Sequence, residues 1–109
     1  MTVRTLADTL GLKVLTLPEE ERECEGVYIG DLLSWVMGRA GEGNIWVTIM
    51  TNVNIVAVAM LREVSAIVLA EGVEIDKEVL DAASAKGVNV LRTPLTSYLA
   101  AKKISEIIP

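Results

Sequence analysis

Side chains able to do chemistry are few in this sequence and fall into three groups. The first is polar and follows apolar runs. Thr51-Asn52-Val53-Asn54 comes after Ile45–Met50, Ala70-Glu71-Gly72 after Ala66–Leu69, and Arg92-Thr93-Pro94 after Val88–Leu91. If the three runs are parallel strands, these corners share one edge, where helix N-termini present free N–H groups and open sheets bind ligands. A small polar ligand would suit them, with Thr51, Asn52, Asn54, Glu71, Gly72, Arg92 and Thr93 as candidate binding residues. The same positions also read as helix caps, and both readings stay open at this level. The second group is acidic: Glu19, Glu20, Glu21, Glu23 and Glu25, interrupted by Arg22 and Cys24. Such oxygen ligands could hold a hard cation. A solvated acidic loop is the plainer expectation, and no metal site is assigned. Cys24, the only cysteine, has glutamate neighbours that disfavour the thiolate, so it is expected to be a bystander. The third group, Gly41-Glu42-Gly43, precedes a strand where a phosphate cradle would follow one, and reads as a structural loop.

What is missing narrows the function further. The chain has no His, so the commonest general base and metal ligand are both absent. It contains no phosphate loop, no Gly-x-Gly-x-x-Gly and no Gly-x-Ser-x-Gly elbow. No catalytic residue and no cofactor are assigned, and the expectation is a protein that is not an enzyme. Ten Lys and Arg stand against 15 Asp and Glu, a net charge of −5, and Lys102-Lys103 is the only adjacent basic pair. Nucleic acid is therefore not an expected partner, since binding it requires a basic stripe. One cysteine forms no internal disulfide, and Asp8 interrupts any apolar leader. The longest apolar stretch, Ile45 to Leu61, is broken by Thr48, Thr51, Asn52 and Asn54, so no membrane span is expected. The cytoplasm is the expected compartment.

The elements that must position these residues follow from patterning. With 109 residues, 51% of them hydrophobic, the chain fits one domain with one modest core. Thr2 caps a first helix carrying Val3, Leu6, Ala7 and Leu10, which Gly11 ends. Leu12 to Leu17 alternates as a strand, Gly26 to Ile29 is a short extended piece, and Gly30-Asp31 opens a helix through Met37. Ile45–Met50 is apolar enough for a strand buried on both faces. Val53 to Leu61 is either the return strand of a hairpin or a helix capped by Asn52 or Asn54. Its alanines, its Met-Leu pair and the lack of a turn glycine favour the helix. Ala66–Leu69 is a strand. Asp76 caps a helix, stapled by Ile75 and Leu80, that Gly87 ends. Val88–Leu91 is a strand, and Thr93-Pro94 opens the last helix, with Leu95, Tyr98, Leu99, Ile104, Ile107 and Ile108 at helical spacing. Trp35 and Trp46, set among apolar neighbours, are expected in the core. Alternating strands and helices predict a single α/β domain with a mostly parallel sheet of about four to five strands flanked by helices.

The helix Asn54–Arg62 is apolar on every side between its ends, so it must be buried on more than one side. Either its own chain covers it, or a second copy does. The homodimer is the economical solution in a small domain, with Ile55, Val58 and Met60 as candidate interface residues.

Four segments in order give the chain a resemblance to the DRTGG domain family, strongest over residues 26–107. They are Gly-Val-Tyr-Ile-Gly-Asp-Leu-Leu-Ser-Trp-Val-Met from Gly26, Thr-Asn-Val-Asn-Ile-Val-Ala-Val-Ala from Thr51, Ile-Val-Leu-Ala-Glu-Gly from Ile67 and Val-Leu-Arg-Thr-Pro-Leu-Thr-Ser-Tyr from Val90. The eponymous residues are replaced. Thr51, Asn52 and Asn54 stand where members have a polar block with Asp-Arg, and Ala70-Glu71-Gly72 stands where members have Thr-Gly-Gly. Loss of the charged pair counts against a phosphate-type ligand. Such domains occur in phosphate acetyltransferases, between CBS domains of some pyrophosphatases and as free-standing proteins, and are similar to the non-kinase domain of HPr kinases. The resemblance implies an α/β accessory domain, often dimeric, without established catalysis. It also favours the helix after Met50. Two functions are expected: a regulatory or small-ligand-sensing homodimer, or an interaction module docking on a larger enzyme, a kinase or an iron–sulfur or hydrogenase-type partner.

Overall fold

A computed structural model describes residues 1–109. Ten elements run in the order α1 (Val3–Leu10), β1 (Lys13–Thr16), β2 (Val27–Ile29), α2 (Leu33–Arg39), β3 (Ile45–Thr48), α3 (Asn54–Arg62), β4 (Ala66–Leu69), α4 (Lys77–Ala85), β5 (Val90–Arg92) and α5 (Ser97–Ser105). The strands form one sheet of order β1-β5-β4-β3-β2. β2 to β5 are parallel neighbours, each joined to the next by a helix, while β1 pairs antiparallel with β5 at one edge. This is the α/β architecture that the alternation of strand and helix patterns predicts.

Every residue of β3 and β4 is buried, because helices cover both faces of the sheet. Ile45, Val47, Ala66, Val68 and Leu91 pack against Val3, Leu6 and Ala7 of α1 and Ala100 and Ile104 of α5. On the other face Trp46, Ile67, Leu69 and Val90 pack against Val36 of α2, Ile55, Val56 and Ala59 of α3, and Val79 and Ala83 of α4. Each fully buried Val, Leu or Ile is worth about 1.5–3 kcal/mol, so these two layers hold the domain together. The segment after Met50 is the helix α3, not a hairpin strand.

Local chemistry sets the ends of the elements. Thr2 caps α1 through its side chain, which accepts from the Thr5 amide, and Gly11 closes the helix at φ 65°. Asp76 occupies the N-cap of α4 without a side-chain cap bond. Three expectations are corrected. α5 is capped by Thr96, not Thr93, and starts at Ser97. Thr93 is held in the turn before the helix, its hydroxyl oxygen accepting from the Leu95 amide. Neither Asn52 nor Asn54 is the N-cap of α3; Val53 is, and the Asn52 side chain makes a tight turn by accepting from the Asn54 amide. Trp35 lies outside the core at 56% exposure, whereas Trp46 is fully buried and donates from its indole N–H to the Gly30 carbonyl.

Candidate functional site

Four parallel strands end at one edge of the sheet, so the corners after β2, β3, β4 and β5 meet there. Thr51, Asn52 and Asn54 lead from β3 into α3, and the two asparagines are exposed. The corners after β4 and β5 are tied to each other. The Glu71 amide donates to the Leu95 carbonyl at 2.8 Å, and the Gly72 amide donates to the Thr93 carbonyl at 2.9 Å. Thr93 is buried, and its amide donates to Leu69, so it and the Gly72 backbone serve as scaffold. Glu71 adopts left-handed backbone at φ 62° and keeps its side chain in solvent.

Arg92 follows Val90 by two residues and so shares the α4 face of β5. Its guanidinium stands 3.5 Å from the Val73 carbonyl and 3.8 Å from the Glu74 carboxylate, with 19% of the side chain exposed. Few of its five N–H donors are engaged by these long contacts. The edge therefore offers a cation and two amides, but no cavity joins them.

The one cavity of the structure, about 210 Å³, lies at the opposite edge and is lined by Arg22, Glu23, Glu25, Glu42, Gly43 and Ser65. Sequence reasoning missed it, since it gathers three distant segments just before β2, β3 and β4. The acidic loop that lines it is largely tied into the fold. The N-terminal amine is 2.8 Å from Glu23, Arg4 is 3.2 Å from Glu20, and the Ser65 hydroxyl donates to the Glu23 carbonyl. The hydrogen bond to Glu23 raises the pKa of that amine above its ordinary value. Asn89, buried beneath the loop, accepts from the Glu19 amide and donates to the Glu19 and Ser65 carbonyls. No group of three or more His, Cys, Asp or Glu is placed to hold a metal ion. Cys24 is 1% exposed, and burial, the largest cause, pushes its thiol up to about 11.

Asp31, expected only to open a helix, does something else. Its carboxylate accepts from the Thr48 hydroxyl at 2.8 Å and the Ile49 amide at 3.0 Å, fastening the end of β2 to the end of β3. Thr48, a polar residue inside a buried apolar run, was the available signal, because a buried hydroxyl needs a partner.

The expected interface residues separate. Ile55 and Val58 are 0% and 3% exposed within the single chain, so they pack against their own sheet and neighbouring helices and cannot meet a second copy. Only Met60 of the three is on the surface, at 47% exposure.

Geometry alone defines a small three-layer α/β domain with a polar strand-end edge and an apolar outer helical surface. The DRTGG domain family model matches residues 5–107, and the chain belongs to that family. Among solved structures it is similar to the CBS and DRTGG domains of the regulatory region of Clostridium perfringens pyrophosphatase, crystallised with the activator diadenosine tetraphosphate. The TM-score is 0.78 at 23% identity, and the match covers 99% of this chain and 47% of that one. This chain thus spans about half the length of that neighbour. None of the curated proteins compared with the chain matches it. Glu71 has a positive φ, a conformation that glycine adopts at no steric cost.

Proposed function

We propose that this chain is a non-catalytic regulatory module that senses a small polar ligand and acts as a homodimer in the cytoplasm. One observation carries the reading: the whole chain corresponds to a domain type found in a regulatory region crystallised with a nucleotide activator. The lack of His and of any nucleophile–base pair supports a non-catalytic role. The ligand end is the strand edge, where Asn52, Asn54 and the exposed Glu71 surround the corners and Arg92 keeps donors free for an anionic group. Thr51 opens the corner after β3, while Gly72 and Thr93 hold the corners after β4 and β5 in register.

Thermal unfolding in the presence of a panel of nucleotides, diadenosine tetraphosphate among them, and of small polar metabolites tests this. A true ligand raises Tm with its concentration, by mass action. Arg92→Ala then weakens an anionic ligand by about 1.5–3 kcal/mol, the range for charge-assisted hydrogen bonds. A panel in which nothing moves Tm overturns the sensing role. The second reading, a module docking on a larger enzyme, kinase or iron–sulfur or hydrogenase-type partner, is favoured by the cavity-free edge together with exposed apolar side chains on α2 and α3.

A further inference from the structure

Lys13 and Arg92 are Cα partners across the antiparallel β1–β5 pair. Residues directly opposite one another in such a pair share a face, so both side chains stand on the α4 side of the sheet. β1 runs against the other four strands, and its first residue therefore lies at the edge where β5 ends. Like charges placed directly opposite are destabilising, and the chain does little to offset this pair. Lys13 is exposed and joins no ion pair. The two contacts of Arg92, with the Val73 carbonyl and the Glu74 carboxylate, both use Nη1. Its Nε and Nη2 donate to nothing in the chain, although only 19% of the side chain is exposed. Both nitrogens still reach solvent, because no fully buried side-chain nitrogen or oxygen lacks a partner. Unpaired donors in so covered a side chain require an explanation.

We propose that Lys13 and Arg92 form a binding site for a phosphate dianion, and that the Glu74 carboxylate competes with it for the guanidinium. This rests on the small-ligand reading above and deepens it, naming a phosphate group as the part of the ligand that is held. A phosphate monoester carries close to two negative charges near neutral pH, and two cations in register match it better than they match the single charge of a carboxylate. The Nε–Nη2 edge of a guanidinium is a planar pair of donors that fits two phosphate oxygens at once, and a lysine ammonium binds a third as a point charge. The Asp-Arg pair replaced after β3 takes positive charge away from that corner. The fold supplies it from β1, far from that motif in sequence and beside β5 in space. Glu74 is 92% exposed and its 3.8 Å contact is long, so it holds Arg92 weakly and gives way to a phosphate that touches both cations. With no cavity at this edge, the site grips the phosphate and leaves the rest of its molecule in solvent.

Amide NMR of the full chain tests the site with inorganic phosphate as the probe, against chloride at equal ionic strength and acetate as a single charge. Phosphate shifts the resonances of Lys13, Val73, Glu74 and Arg92 to saturation, and neither chloride nor acetate does. Lys13→Gln and Arg92→Gln each weaken phosphate by about tenfold or more, the loss expected for a charge-assisted hydrogen bond. Glu74→Gln tightens it by about two- to fivefold. A control, Lys103→Gln on α5, leaves the constant unchanged. Phosphate that does not saturate these resonances, acetate that binds as tightly, or an unchanged constant in Lys13→Gln overturns the site. Unchanged affinity in Glu74→Gln overturns the competition. If Arg92→Gln loses its fold by circular dichroism, Lys13→Gln decides alone, since it alters only an exposed side chain. Should the site fail while a panel member raises Tm equally in the unmodified chain and in Lys13→Gln, the sensing reading stands without it. Should phosphate bind here while no panel member moves Tm, the sensing reading falls and the site remains.

Discussion

Glu71 holds a left-handed backbone conformation, at φ 62°. An L-residue in left-handed backbone costs about 1–2 kcal/mol, and glycine returns about 0.5–1 kcal/mol of that as unfolded-state entropy. The Glu71 side chain is exposed and its amide bond to Leu95 survives substitution. Glu71→Gly is therefore expected to raise stability by about 0.5–1 kcal/mol, read from the urea midpoint. Cys24 gives a second expectation. Its thiol rises from the ordinary 9.0 to about 11, so the folded state holds the proton that the unfolded state releases. Its contribution to stability is whole below pH 9 and falls as pH climbs through about 11. In the native protein at pH 8 it should resist alkylation and react only on unfolding, as mass spectrometry would read. The inert thiol was legible from the sequence, although the cause is burial more than neighbouring glutamates. Trp35 was not legible as a surface residue, since local apolar sequence says nothing about which side of a helix meets the sheet.

Among elements, the α5 start shows how a correct signal can sit one turn early. Thr93-Pro94 has the sequence of a capped helix, but the bonds between the β4 and β5 corners hold residues 93–95 in a turn. The next hydroxyl with a partner three residues on is Thr96, which accepts from the Leu99 amide at 3.2 Å. Thr96→Ala should cost about 1 kcal/mol in urea unfolding, the usual loss for a removed cap. Little or no loss would show that the cap bond is not what starts α5. The type of α3 was legible from its alanines and its Met-Leu pair. Its phase was not. A helix apolar all round gives no periodic signal, so only the packing tells Ile55 and Val58 from Met60 and Leu61.

At the scale of the molecule, the parallel order β5-β4-β3-β2 was largely readable, because the strands alternate with helices and helical crossovers keep them parallel. The convergence of the strand-end corners followed from that order. The lack of a cavity there did not, because it depends on amide bonds between two corners more than 20 residues apart. The cavity at the far edge joins Glu23, Glu42 and Ser65, a grouping no local pattern announces. No helix is long and apolar enough to cross a membrane. The molecule is a sheet held between two layers of helices. Native mass spectrometry of the unmodified chain, alone and with the nucleotide and metabolite panel, reads subunit number and bound mass together. The expected result is an ion of two 11.8 kDa chains that gains the mass of a panel member on addition. An 11.8 kDa monomer that takes up nothing from the panel would contradict the account.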